Sequence, residues 1–171
     1  HSDIVKTLDH SSILTFLDLA WPGTTRGRVH IRLSPDTVLA RQFVLLCTGE
    51  RGPSYFNTKL LRVVFKGEPG ECVWGGDYQY NDGRGGAPLL SNLYYQQYRQ
   101  SGKAGALLSL CGLESHQTSQ FCITTRDDIN IDQWEFVYGE VESGLDVVRA
   151  AVNHSNIREV TVVDCGVVFT L

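Results

Sequence analysis

The sequence predicts a mainly β domain, an antiparallel barrel or sandwich with two helical caps. Three observations carry this: eight or so short strand-like runs, only two stretches of helical period, and no strand–helix–strand rhythm of the kind that builds a parallel sheet. With 171 residues, 42% of them hydrophobic and 20% charged, the chain suits one globular domain with a full core, and it shows no internal repeat or low-complexity tract.

The elements follow in order. The run ILTFLDLAWPG (13–23) alternates and ends at Pro-Gly. In GRVHIRL (27–33), Val29, Ile31 and Leu33 share one face, with His30 and Arg32 on the other, so the two runs read as a strand pair with a turn at 22–27. In SPDTVLARQFVLLCTGE the period lengthens: Ser34 is the candidate cap and Pro35 suits the first helical position. Leu39, Phe43, Leu46 and Cys47 then form one apolar stripe closed by Gly49. Strand-like runs at 60–66 and 72–74 flank the turn-rich KGEPGE, and YNDGRGGAP is a glycine-rich loop. Short strands are expected at 106–111 and 120–125 and over EFVYGEV. SGLDVVRAAVN reads as a helix with Ser143 as cap, Asp146 three residues on, and Leu145, Val148 and Val152 on its buried side. REVTVVDCGVVFTL is the closing strand.

Composition excludes several functions. The net charge is −4, and Lys and Arg are scattered without a basic stripe, which argues against nucleic acid as a partner. No run approaches the ~20 apolar residues of a membrane span, and no signal peptide opens the chain. The five cysteines (47, 72, 111, 122, 165) are odd in number and widely spaced. They contain no C-x-x-C pair and no histidine at zinc-ligand spacing, so they are expected as buried free thiols in a reducing compartment, cytoplasmic or nuclear. Neither metal nor cofactor is expected. The chain starts at His1 and contains no methionine. The expected organisation is an N-terminal extension (1–13) and one domain (14–171) taken from a longer protein.

Seven segments then resemble, in order, the cyclophilin family of peptidyl-prolyl cis–trans isomerases. They are FLDL…GRVHIRL, the helix end F…LCTGERG, GGDY and NDGRGG within GGDYQYNDGRGG, the strand SQFCITT, FVYGEV and DCG; within this frame Tyr55 stands seven residues ahead of Arg62, as a tyrosine does ahead of the family's catalytic arginine. The resemblance covers about residues 14–168. It implies a closed eight-stranded antiparallel barrel capped by two α-helices, with a proline-binding groove on its outer face. Arg62 falls at the family's catalytic arginine, whose guanidinium hydrogen-bonds near the prolyl nitrogen as the amide twists. This weakens the resonance behind a barrier of about 18–20 kcal/mol. Gln120 falls on the family's groove glutamine, beside Arg62 on the barrel face.

Other groove positions depart from the family pattern. Glu71, Cys72 and Trp74 stand where Phe-Met-x-Gln would be, after a segment about four residues longer that carries KGEPG. Gly112 replaces an asparagine, and Cys122 replaces a phenylalanine wall of the proline pocket. Asn130 and Glu135 fall at the pocket tryptophan and histidine, with Trp134 one place away. Burying a proline-sized ring is worth roughly 1.5–3 kcal/mol, and most of that grip is lost with an apolar floor so altered.

Each residue also has a plainer reading. Arg62 is either a working catalytic group or a surface arginine paired with Glu71 or Glu135. Gln120 is either a groove residue or a structural one that satisfies loop backbone. Trp74 is either core or a filler of the empty pocket. NDGRGG lacks the strand–loop–helix setting of a phosphate cradle and reads as a turn, and YYQQYRQ reads as a half-buried loop rather than an interaction patch. No Ser-His-Asp or Cys-His arrangement can be argued. Two functions follow. The favoured one is a catalytically impaired cyclophilin-homology domain that docks a protein or peptide, proline-containing segments among the candidates, inside a scaffold or a ubiquitin or SUMO ligase. The alternative is a weak isomerase using Arg62 in a reshaped pocket. Loss of the pocket tryptophan and floor predicts poor cyclosporin binding.

Overall fold

The computed structural model describes residues 12–94, 96–109, 115–128 and 136–169. Among these residues are eight strands: β1 (Leu14–Ala20), β2 (Gly27–Leu33), β3 (Arg62–Val64), β4 (Cys72–Gly75), β5 (Ala106–Ser109), β6 (Phe121–Thr124), β7 (Phe136–Ser143) and β8 (Thr161–Val168). Two α-helices join them among the described residues, α1 (Val38–Thr48) and α2 (Leu145–Val152). All strands belong to one curled antiparallel sheet in the order β3-β4-β6-β5-β7-β2-β1-β8. The mainly β reading and both helices therefore stand.

The closed barrel does not, because no ladder joins β3 to β8. The chain just ahead of β3 meets β8 instead. Asn57 N–H donates to the Val162 carbonyl (2.7 Å), Val162 N–H to Thr58 (2.8 Å) and Leu60 N–H to Val160 (2.9 Å). Two left-handed residues explain the short seam: Asn57 (φ +69°) breaks the run before it, and Phe65 (φ +54°) turns the chain out of the sheet after three residues of β3.

Alternation places the core. Val63, Val73, Ile123 and Leu107 follow one another across β3, β4, β6 and β5 and point inward. They join Val29, Ile31, Leu33, Phe43 and Val162 in the main apolar cluster. Helix α1 closes over β8, β1 and β7 with Leu39, Phe43, Leu46 and Cys47 buried, as the stripe predicts, and α2 packs on β2. Among the described cysteines, Cys47, Cys72 and Cys122 are buried free thiols, whereas Cys165 is only half-buried. Cys111 lies outside the described residues.

Both helix caps differ from expectation. Thr37, not Ser34, caps α1: its hydroxyl accepts from Ala40 N–H (3.3 Å) once Asp36 has turned the chain at φ +62°. Gly144, not Ser143, precedes α2. It adopts φ +92° without a side-chain cap, and a Cβ there would run into the Arg28 carbonyl. Ser143 instead ends β7 and meets His30 Nδ1 through its hydroxyl (2.9 Å). The stretch assigned to one closing strand begins as a 3₁₀ turn, Ile157–Glu159, where Asn156 accepts from Arg158 N–H (3.1 Å).

Candidate functional site

The outer face carries the row of side chains opposite to the core row. Arg62 pairs with Trp74, Trp74 with Cys122, Cys122 with Leu108, and Leu108 with Val137, across β3, β4, β6, β5 and β7. Cys72, Ala106, Leu108, Cys122 and Val137 make a small second apolar cluster, with Val64 and Trp74 packed against it. Trp74 lies at the exposed end of that cluster. The guanidinium carbon of Arg62 sits 4.2 Å from the centre of its ring, a cation–π stack. Trp74 is thus both packed on apolar neighbours and a platform for Arg62. Its indole N–H is buried without an acceptor among the described residues.

Arg62 is exposed, and among the described residues it has no carboxylate partner. Glu71 does not pair with it. That carboxylate is turned to the other side, where it accepts from the Thr125 hydroxyl (2.6 Å) and Gly67 N–H (2.7 Å) and lies 3.7 Å from Arg126. Burial pushes the Glu71 pKa up, but these hydrogen bonds and the charges of Lys66 and Arg126 outweigh it and hold it below the usual carboxylate range. The stacked guanidinium therefore keeps hydrogen-bond donors for a ligand carbonyl or carboxylate.

Arg62 and Trp74 line a cleft of about 340 Å³ together with Leu61, Asp82, Gly83, Gln117, Gln120 and Arg158. Arg62 and Gln120 are brought to one place, but Gln120 is 1% exposed and both of its amide hydrogens are occupied. They donate to the carbonyls of Gly83 (2.9 Å) and Gly85 (2.8 Å). In this arrangement Gln120 braces the glycine-rich loop.

The same loop is organised from its other side by Asp77, the acid of Gly-Gly-Asp. Its Oδ1 accepts from the backbone N–H groups of Gln79 and Tyr80, and its Oδ2 from those of Asp82, Gly83 and Gly85. Burial raises the Asp77 pKa, and these donors more than reverse it, leaving the carboxyl below its ordinary value. NDGRGG is accordingly a turn wound on a carboxylate. Tyr55 holds the other end of the site, fully buried against Phe43 and Phe121 and donating from its hydroxyl to the Ser119 carbonyl (2.6 Å).

Cys72 and Cys122 lie beneath Trp74. Burial, first, and the neighbouring Cys72 thiol push the Cys122 pKa well above the ordinary thiol value. Gly112, Asn130, Trp134 and Glu135 lie outside the described residues. The KGEPG insertion folds away from Arg62: Lys66 Nζ donates to the Val152 carbonyl at the end of α2 (2.6 Å) and to Asn153 Oδ1 (3.0 Å). There it borders a second cleft of about 440 Å³ lined by Pro69, Glu71, Thr125, Arg126, Asp127, Arg149 and Asn153. The two clefts share no lining residue. From YYQQYRQ, Gln96 and Tyr98 cap α1 from the side, with Val38 N–H donating to Gln96 Oε1 (2.6 Å) and Leu39 N–H to the Tyr98 hydroxyl (3.2 Å).

Sequence reasoning missed Arg158. It stands in the 3₁₀ turn before β8, and its Nε donates to the Leu61 carbonyl (3.2 Å), one residue from Arg62. Nothing local in NIREV announces a role in a cleft, since its neighbours there come from four other segments of the chain.

With this geometry in place, comparison with known proteins is informative. Residues 18–167 match the family model described as cyclophilin type peptidyl-prolyl cis-trans isomerase/CLD. The chain is 30% identical over 168 residues to the peptidyl-prolyl cis-trans isomerase cyp11 of Rhizopus delemar, a match covering 88% of this chain and 49% of that protein. It is 29% identical over 162 residues to the human E3 SUMO-protein ligase RanBP2, covering 90% of this chain and 5% of that protein. The chain thus spans half or less of these relatives' own lengths.

Proposed function

The chain belongs to the cyclophilin-type peptidyl-prolyl cis–trans isomerase family, and from that premise we propose that this domain serves mainly as a peptide- or protein-docking module within a longer protein, with its isomerase chemistry much weakened. The observation that carries this reading is the stack of Arg62 on Trp74 on Cys122. Where the family resemblance places a glutamine beside an apolar recess, this chain puts an indole that packs over the recess itself. A prolyl ring then meets the edge of the Arg62–Trp74 stack rather than a hole to enter. It loses much of the roughly 1.5–3 kcal/mol that full burial of such a side chain provides. Twisting an amide also requires the residues on both sides of the bond to be held in register, and Gln120 is engaged with its own loop.

A second reading is supported by Arg62 itself. Its guanidinium is exposed and lacks a carboxylate partner among the described residues, so it can still reach a twisting amide and sustain slow isomerisation. One charge-assisted hydrogen bond of about 1.5–3 kcal/mol corresponds to roughly one to two powers of ten in rate. In either reading the ligand is a proline-containing segment of a protein, cyclosporin is bound poorly, and the domain works in a reducing intracellular compartment. The relative named as a SUMO ligase makes attachment to a large multidomain protein a natural setting.

The test is NMR exchange spectroscopy on a capped X-Pro peptide with catalytic amounts of domain, wild type beside Arg62→Ala. The expected result is peptide-induced shifts around Arg62 and Trp74 with little or no acceleration of cis–trans exchange. Fast exchange that disappears in Arg62→Ala would replace the docking reading with that of a rebuilt isomerase.

A further inference from the structure

The cleft beside Trp74 has an unusual charge balance. Two guanidiniums, Arg62 and Arg158, line it from β3 and from the turn before β8. Each is held by a contact that leaves its outer nitrogens open. Arg62 lies flat on the indole, and Arg158 is pinned through Nε to the Leu61 carbonyl. Neither has a carboxylate partner among the described residues.

The acids nearby are already engaged. Asp82, which also lines the cleft, accepts from Arg84 Nε (2.7 Å) and Arg84 N–H (3.0 Å) within its own loop. Glu159, next to Arg158 in the chain, bonds His154 Nε2 (2.7 Å) and lines a different surface depression, with Trp21 and Lys59. A protein with more acids than bases overall thus presents two open cationic forks to one cleft.

We infer that this cleft is a subsite for an acidic side chain, and that the preferred ligand is a peptide with Asp or Glu next to its proline. The inference rests on the docking reading above and adds its sequence preference. A carboxylate matches the planar fork of a guanidinium and accepts from both arginines together. The rest of the lining is Leu61, Trp74, Gly83, Gln117 and Gln120, which carry no charge, and Asp82, already ion-paired with Arg84. A proline against the edge of the Arg62–Trp74 stack places a flanking side chain within reach of this cleft, since both residues line it.

The test uses capped peptides of one length with a central proline, carrying Glu, Gln or Lys immediately before it, and a second set with the same three residues immediately after it. Each is titrated into ¹⁵N-labelled domain. In at least one set the Glu peptide is expected to bind about threefold to tenfold more tightly than its Gln isostere, with Lys weaker than Gln. That ratio falls toward one in 1 M salt, where the screening length is about 3 Å, and also in Arg158→Gln. Equal binding of Glu and Gln peptides in both sets overturns the inference, as does a ratio untouched by salt or by a folded Arg158→Gln. If Arg158→Gln does not fold, the salt dependence of the wild type decides alone. Binding by none of the peptides overturns the docking reading itself, which separates the two failures.

Discussion

Asp77→Asn is the substitution that most directly tests how the cleft is built. The carboxylate is fully buried and accepts from five backbone N–H groups, two on Oδ1 and three on Oδ2. Asparagine keeps the shape but replaces one acceptor by a donor. Its better rotamer turns the carbonyl oxygen toward Asp82, Gly83 and Gly85 and leaves its NH₂ facing the N–H groups of Gln79 and Tyr80. Those two donors lose a charged acceptor, each such bond being worth about 1.5–3 kcal/mol. Water reaches the exposed Tyr80 side of the turn and recovers part of this, so the expected loss is about 3 kcal/mol. Urea unfolding at pH 7, followed by tryptophan fluorescence, measures it. Hydrogen exchange at Gly83 and Gly85 reports whether the loop loosens together with its brace from Gln120. A loss below about 1 kcal/mol with an unchanged denaturant slope would refute the view that this carboxylate winds the loop.

Two further predictions follow from the same contacts. Asp77 and Glu71 both titrate below their ordinary values in the fold, so the stability they contribute is fully present above the unfolded pKa values of about 3.9 and 4.3. It is lost as pH falls through the lower folded values; thermal melts should decline below about pH 4, and less steeply in Glu71→Gln, whereas a decline beginning above pH 6 would contradict the assignment. Cys122→Phe forces a ring into space closed by Trp74 and should cost about 1–3 kcal/mol. Combining it with Trp74→Gln should recover at least about 1 kcal/mol of that cost in a double-mutant cycle, and strict additivity would mean that the two side chains do not compete for one site.

How far the sequence carries depends on where each determinant lies. The β1–β2 pair was legible because Val29, Ile31 and Leu33 face a core that lies on one side only, so burial writes a period of two into the chain. The helix stripe was legible for the same reason. The caps were not: Thr37 takes over from Ser34 because Asp36 adopts a left-handed turn. Gly144 is required by the Arg28 backbone, a neighbour distant in sequence. β3 is shorter than its apolar run because Leu60 and Leu61 are buried without joining a ladder and Phe65 turns out of the sheet. In the site, the family resemblance put Arg62 and Gln120 in one place. Spacing could not reveal that both Gln120 amide hydrogens are taken, nor that Arg158 arrives from the far edge of the sheet.

An arginine in the middle of the apolar run LLRVV is tolerated here because it opens β3, an edge strand, and stands on its outer face. The charge stays in water while the guanidinium gains an aromatic surface. That aromatic surface in turn depends on Cys122. A side chain as large as phenylalanine at the cross-strand position would lift Trp74 off the apolar cluster, whereas a thiol lets the indole settle onto Cys72 and Cys122. On the proposed docking reading, Trp74 and Cys122 therefore act as one unit: they supply a platform that supports a cation where the family resemblance implies a recess that grips a ring. On that reading the site trades leverage on the prolyl bond for guanidinium donors offered to an anionic or carbonyl group beside it.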